Sequence, residues 1–279
     1  MTNTIPDITF MDNHGQIQLS AEDAAIYLIE NIDFDSQKYA ILKALKIIEK
    51  AINENSNEIL KLENEAKGSS GKKRDFLVDE LVDEYHYSVY FDAANSMSSV
   101  GMIAPTIESI MYEVFQNIGK KFGVKILNEN SLRKSLSKKY MWDCHYYMEE
   151  GKSKKNIVKG IMQLLQDTQL NTFLPSDFDN IIDALFSYRN NIFHNGFEWP
   201  KNIKDKFQKK INDSNWPDTW FSCSTSNNEP WIFYMTDKFQ NQCLKMLDEV
   251  YIVPVQRPIS LDKRAAPNYL KSINLQLIG

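Results

Sequence analysis

The sequence predicts a mainly α-helical protein with small β-hairpins. Apolar residues recur at helical spacing through most of the 279 residues, whereas strand-like alternation is confined to short segments. Only 10 glycines and 9 prolines are present, so few helices should be interrupted by residues that disfavour them. With 43% hydrophobic residues the chain can bury a sizeable core. The length allows one large domain or two small ones, and we predict a single helical domain over residues 1–279.

Three segments are predicted to decorate the helical domain. Residues 8–19 contain two extended runs around Asp12–Gly15, which indicate a hairpin within an N-terminal arm, residues 1–19. Residues 216–235 contain two aromatic, β-prone runs around a polar turn, which indicate a hairpin insertion. The tail, residues 254–279, contains three prolines and is expected to be extended.

The helices follow from apolar periodicity and from residues that begin or end helices. Gly101 and Pro105 are expected to separate two helices, and Gly151 to separate two more. The segment Gly68–Lys73 is better read as an interhelical loop than as a phosphate-binding loop, because the first glycine of that motif is missing. The predicted helices span about 20–32, 35–66, 75–98, 107–122, 131–149, 153–169, 176–195, 201–210 and 236–250.

Charge and cysteine content exclude several classes of protein. A net charge of −5 argues against a broadly cationic nucleic-acid coat, although it allows a local basic groove. Three widely spaced cysteines cannot form a complete disulfide framework, which favours a reducing cytoplasm. We find no secretion signal and no apolar run near the roughly 20 residues of a membrane span. We therefore expect a soluble, cytoplasmic protein without a membrane partner.

Two segments suggest metal sites, but neither predicts one. An acidic helix face carries Asp79, Glu80, Asp83 and Glu84. Such a run is usually a solvated surface, and no histidine except the aromatic-flanked His86 joins it at ligand spacing. The dipeptide Cys144–His145 suggests a thiol nucleophile or a zinc ligand pair, yet core packing is the favoured interpretation. We expect no metal and no cofactor.

The most informative feature of the sequence is a charged residue on the apolar face of the helix predicted around residues 176–195. Ser176 or Asp177 can cap its N-terminus, and Asn195–Gly196 suits a left-handed C-terminal cap. Arg189 falls near the middle of its apolar face, where an unpaired guanidinium would cost several kcal/mol. Arg189 therefore requires an anion, a cleft or an acidic partner such as the face of residues 79–84. The apolar residues of this face are Ile181, Ile182, Leu185, Phe186, Ile192 and Phe193.

Two polar side chains accompany Arg189 towards the end of this helix. Asn190 and His194 are one helical turn apart on one face, so the amide can orient the imidazole. Arg189 and His194 diverge by about 140° around the helix axis. A histidine can exchange protons near neutral pH, and an arginine can bind a phosphate and stabilise charge on phosphorus. These groups are the ones needed to cleave RNA through its own 2′-hydroxyl without a metal.

The segment Arg189-Asn-Asn-Ile-Phe-His194 resembles the Arg-x4-6-His signature of the HEPN superfamily, including its frequent polar residue after the arginine. The resemblance implies a HEPN-like helical bundle and a metal-independent endoribonuclease, often a toxin or phage-defence effector. It also implies that Arg189 and His194 are catalytic and that Asn190 supports them. One branch of the family has a tyrosine two residues after the histidine, where this chain has Gly196. Control by nucleotidyl transfer to that tyrosine is therefore not expected.

The implied partners are RNA, a second copy of the chain, and an antitoxin or defence-system protein. A symmetric dimer would bring two Arg189–His194 motifs together near the two-fold axis. The basic helix that follows the motif is predicted to line the RNA path, through Lys201, Lys204, Lys209 and Lys210.

Two other interpretations of the motif stay open. Arg189 can be a structural arginine paired with an acid, with His194 bonded to helix-end carbonyls. Alternatively, the chain is a non-catalytic HEPN-like module that binds a nucleotide or a protein, which the acidic net charge favours slightly.

Overall fold

The computed structural model describes residues 28–256, and of residues 252–256 only the backbone. The predicted N-terminal hairpin, most of the helix predicted over 20–32, and tail residues 257–279 lie outside the described residues. The chain divides into two compact units. The motif unit comprises Asp33–Thr106 and Asp177–Met246, and contains Arg189 and His194. The arginine unit, named for Arg133, comprises residues 28–32, Ile107–Ser176 and 247–256 of the described chain.

The described residues are mainly helical, as predicted, with two antiparallel hairpins. None of their helices is long and apolar enough to cross a membrane. Three short 3-10 helices, Gly123–Ile126, Leu132–Ser135 and Leu170–Phe173, join the longer elements. The α-helices are α1 (Phe34–Lys67), α2 (Lys72–Phe122), α3 (Ile157–Asp167), α4 (Phe178–Asn195), α5 (Lys201–Asp213) and α6 (Asp237–Gln256). The hairpins are β1–β2 (Tyr146–Glu149, Lys152–Lys155) and β3–β4 (Phe221–Ser226, Glu229–Met235).

Helices α1 and α2 are joined by the short loop expected at Gly68–Gly71. The predicted break at Gly101 and Pro105 is wrong, because α2 continues through both residues for 51 residues. A proline inside a helix costs about 3 kcal/mol through its missing amide hydrogen bond and its ring. Burial of apolar side chains on both sides of it outweighs this cost, since Val100, Ile103 and Ile107 are all fully buried.

The prediction of a helix over residues 131–149 is also wrong. Only the 3-10 turn Leu132–Ser135 forms there, and the chain then enters β1. Strand β1 pairs with β2 through a two-residue turn, Glu150 and Gly151, whose φ angles are 52° and 72°. Two positive φ values suit a hairpin turn and are incompatible with a helix. The predicted second helix therefore begins later, at Ile157.

Arg133 holds this irregular segment together. Its side chain is fully buried, and all five of its N–H groups donate hydrogen bonds. One acceptor is the Gln163 side chain. The others are the backbone carbonyls of Tyr140, Met141, Asp143 and Tyr146, at 2.6–3.1 Å. These carbonyls would bond amides in a helix, so the guanidinium stabilises the non-helical path.

The second hairpin lies where the aromatic segment 216–235 predicted one. Strands β3 and β4 pair from Phe221 opposite Met235 to Ser226 opposite Glu229, with an irregularity after Ser224. The following helix α6 is capped as expected, since Thr236 Oγ1 accepts from the Phe239 amide at 3.3 Å. It continues to Gln256, beyond the predicted end at Val250, so residues 254–256 are helical rather than extended.

Candidate functional site

Helix α4 carries the predicted site and is fixed in rotation by Tyr188. This side chain is fully buried, and its hydroxyl donates to the Phe233 carbonyl of β4 at 3.0 Å. Its ring also packs near Trp199, Phe207 and Phe221, at centroid distances of 5.3–6.1 Å. Because neighbouring helical residues point about 100° apart, burial of Tyr188 turns the next residue towards the edge of the core.

Arg189 therefore lies at this edge and is only partly buried. Its Nη1 donates to Asn190 Oδ1 at 3.3 Å. None of the ion pairs formed within residues 28–256 includes Arg189, so no acid of the 79–84 face serves as its partner there. The expectation that Arg189 occupies the middle of a buried apolar face is wrong, because Tyr188 takes that position.

Asn190 and His194 both lie on the exposed surface of α4. Asn190 accepts its hydrogen bond from Arg189, and no hydrogen bond joins its amide to His194. Gly196 ends the helix with φ 69° and ψ −147°, so its φ is positive as predicted but the conformation is not the predicted left-handed cap. Phe193, expected in the core, is 49% exposed, and its ring packs close to Gly101 of α2. The structure thus brings Arg189 and Asn190 into contact and leaves the imidazole of His194 open to solvent.

Two of the four predicted RNA-binding lysines of α5 are paired with acids, and two are not. Lys201 pairs with Glu229 at 2.6 Å and lowers the pKa of that carboxyl group. Lys210 bonds Asp183 at 2.7 Å and Ser187 at 2.6 Å. Lys204 and Lys209 form no ion pair within residues 28–256. Half of the predicted basic rim is therefore neutralised by acids of the same unit.

An aromatic patch beyond the end of α4 was missed by the sequence reading. We define this patch as His86, Tyr90, Phe197 and Trp231. Centroid distances are 5.0 Å for His86–Trp231, 5.4 Å for Tyr90–Trp231 and 6.5 Å for Tyr90–Phe197. His86 is exposed, and the other three rings are partly exposed. The run Tyr85-His-Tyr87 was a visible signal, but its neighbour Trp231 lies in the distant β4.

The motif unit also contains a polar pocket of ≈ 260 Å³ beside α2. Asp92 and Asn95 line it from α2, and Asp237 lines it from the start of α6. Burial, and then the charge of Asp237, raise the pKa of Asp92 to about 6. The Asn95 Nδ2 atom is buried and has no acceptor within the described residues.

In the arginine unit, His145 lies between two carboxylates. Its Nδ1 and Nε2 are each 2.7 Å from an oxygen, of Asp143 and Glu108 respectively. Burial lowers the pKa of His145, but the hydrogen bonds to Glu108 and Asp143 outweigh it, so that the pKa is raised. The core-packing interpretation holds for Cys144 and fails for this histidine, whose side chain is 40% exposed.

Asp143, Cys144 and His145 form the one group of three or more potential metal ligands found within residues 28–256. Ligand atoms of Asp143, Cys144 and His145 lie within 4.8 Å of one another. Burial raises the pKa of the Cys144 thiol, which keeps it protonated and unreactive. Each imidazole nitrogen faces a carboxylate, so the arrangement suits a hydrogen-bonded imidazolium better than a metal.

The chain was also compared with known proteins. No protein-family model matches the chain, and neither a curated protein nor a solved structure gives a significant match to it.

Proposed function

We propose that the chain is a metal-independent endoribonuclease of HEPN type, with Arg189 and His194 as catalytic residues and Asn190 in support. One observation carries the proposal. Arg189 has no carboxylate partner within residues 28–256, while His194 is exposed on the same helix. The structural arginine Arg133 is held by five hydrogen bonds, whereas the side chain of Arg189 makes one, to Asn190, so this observation favours a guanidinium that can bind an anion.

The proposed chemistry is attack of the RNA 2′-hydroxyl on the adjacent phosphorus. One His194 imidazole takes the proton of this hydroxyl, and a protonated imidazole gives a proton to the departing 5′-oxygen. Arg189 binds the non-bridging phosphate oxygens and stabilises the charge that develops on them. Asn190 holds the guanidinium through the contact at 3.3 Å. The products are a 2′,3′-cyclic phosphate and a 5′-hydroxyl.

A homodimer supplies the second histidine. Arg189 and His194 diverge by about 140° around α4, so one motif makes a poor clamp for a phosphate. A two-fold axis beside α4 would bring two motifs together. Phe193 supports this arrangement, because it lies next to His194 and exposes 49% of its surface. Sedimentation should show a dimer at micromolar concentration, and a monomer with full activity would contradict the proposal.

The decisive assay measures cleavage of a labelled RNA in the presence of EDTA. Wild type should produce 2′,3′-cyclic phosphate ends, and Arg189→Ala and His194→Ala should each lower the rate at least 100-fold. Arg74→Ala is the matched control, since Arg74 is an exposed arginine of the same unit. Cleavage that requires a metal, or full activity of either motif variant, would refute the proposal. Thermal stabilisation by nucleotides without cleavage would instead support a binding module.

The resemblance further suggests a toxin or phage-defence effector that an antitoxin or defence-system protein holds in check. Expression of the wild-type chain in bacterial cells should then arrest growth, and His194→Ala should relieve the arrest. Equal growth of cells that express either protein at equal levels would argue against this role.

A further inference from the structure

The aromatic patch has the surface chemistry of a base-stacking platform. Its four rings contact one another in tilted or edge-on geometries, at 5.0–6.5 Å between centroids. All four remain at least partly exposed although they are large and aromatic. Nucleic-acid bases stack on such rings in sequence-tolerant binding of single strands.

The patch lies within reach of the proposed catalytic histidine. Phe197 follows His194 by three residues, which span at most about 11 Å of chain. Phe197 contacts Tyr90, and Tyr90 contacts Trp231, so the rings form one continuous group that begins just after the end of α4. A strand with its phosphate at His194 would therefore place the neighbouring bases over these rings.

The charges around the patch fit bases better than phosphates. Glu198 accepts a hydrogen bond from the Tyr90 hydroxyl, and Glu229 pairs with Lys201 near Trp231. Glu198 forms no ion pair within residues 28–256 and would repel a phosphate, whereas a carboxylate can accept hydrogen bonds from base N–H groups. Lys204 is the cation near this hairpin that forms no ion pair within residues 28–256, which leaves it available to a phosphate.

We infer that His86, Tyr90, Phe197 and Trp231 form a stacking surface for the bases that flank the scissile phosphate. This inference rests on the proposed endoribonuclease function and assigns a substrate-binding surface to it. A duplex is a poor ligand for this patch, because its bases are already stacked and paired.

The test measures binding in the His194→Ala background, so that the RNA stays intact. The probe is a fluorescently labelled 12-nucleotide single strand (about 12 nucleotides span one such site), free or annealed to its complement. Trp231→Leu should weaken single-strand binding about tenfold or more, while Trp231→Phe keeps a ring and should stay within about threefold. The control is Phe76→Leu, an aromatic residue of α2 that is 67% exposed and lies outside the patch.

His86→Ala provides a second test that does not depend on whether Trp231→Leu folds correctly. His86 is exposed, so its removal should leave the thermal midpoint unchanged and weaken binding about threefold. Binding that is equal for duplex and single strand, or insensitive to both Trp231→Leu and His86→Ala, would overturn the inference. If the wild type cleaves RNA while these variants bind normally, the proposed function survives and the platform does not. If ring-dependent binding occurs without wild-type cleavage, the stacking surface is supported and the proposed nuclease function is refuted.

Discussion

Replacement of Asp92 by asparagine should stabilise the protein at neutral pH. Asp92 lines the polar pocket of the motif unit and forms no ion pair within residues 28–256. Burial, followed by repulsion from Asp237, raises the pKa of this carboxyl group from 3.8 to about 6. Its charged form is therefore disfavoured in the folded state, and asparagine removes that charge while keeping a similar shape.

The magnitude follows from linkage. A rise in pKa from 3.8 to about 6 sets an upper bound of about 3 kcal/mol. Asp92 is only partly buried, so solvent screening should reduce this to about 1 kcal/mol. The folded state binds the proton more tightly than the unfolded chain, so its stability falls as pH rises between about 4 and about 6. Above that window the destabilisation is constant.

Urea denaturation of both proteins at pH 4, 5, 6 and 7 provides the assay. The two free energies of unfolding should agree at pH 4, and Asp92→Asn should exceed wild type by about 1 kcal/mol at pH 7. Asp83→Asn, an exposed acid of the same helix, is the control. A difference between Asp92→Asn and wild type that does not change with pH, or a loss of stability at pH 7, would refute this reasoning.

Three further predictions concern the arginine unit. Arg133→Ala should lower the free energy of unfolding by about 3–5 kcal/mol in urea denaturation, because it removes all five hydrogen bonds of a fully buried guanidinium, four of them to backbone carbonyls; a loss below about 1 kcal/mol would contradict this role. The raised pKa of His145 adds stability below its ordinary pKa of 6.5, which is lost as pH rises through the folded pKa; Glu108→Gln should flatten this dependence in thermal melts from pH 6 to 9. Gly160→Ala should cost about 3 kcal/mol, because its Cβ would lie 1.9 Å from the Cys144 carbonyl oxygen, while Gly68→Ala should be tolerated in the same melts.

The elements that local chemistry determines were predictable from the sequence. Helix α4 begins and ends at the predicted positions, although the Asp177 side chain makes no capping hydrogen bond and accepts from Gln242 instead. Helix α1 agrees with its apolar spacing to within one or two residues. The β3–β4 hairpin follows from β-prone runs that flank a polar turn. In each case the residues that decide the structure lie within a few positions of the element itself.

The segment 131–149 could not be predicted in the same way. Its composition suits a helix, and Arg133 resembles any surface arginine in the sequence. Its structure depends on a guanidinium that bonds carbonyls 7–13 residues away, which no periodicity reveals. The turn at Glu150–Gly151 did offer a signal, since a two-residue turn that ends in glycine favours a hairpin.

The position of Arg189 shows most clearly how the cost of burying each side chain decides which face of a helix is buried. Tyr188 and Arg189 are neighbours about 100° apart on α4, and of the two only Tyr188 is fully buried. Burial of the tyrosine gains the contacts of a large ring and costs one hydroxyl, which the Phe233 carbonyl satisfies at 3.0 Å. Burial of the guanidinium would require a partner for a full charge, at a cost of several kcal/mol without one. The helix therefore buries Tyr188, and Arg189 reaches the edge of the core beside exposed Asn190, where a phosphate could reach it.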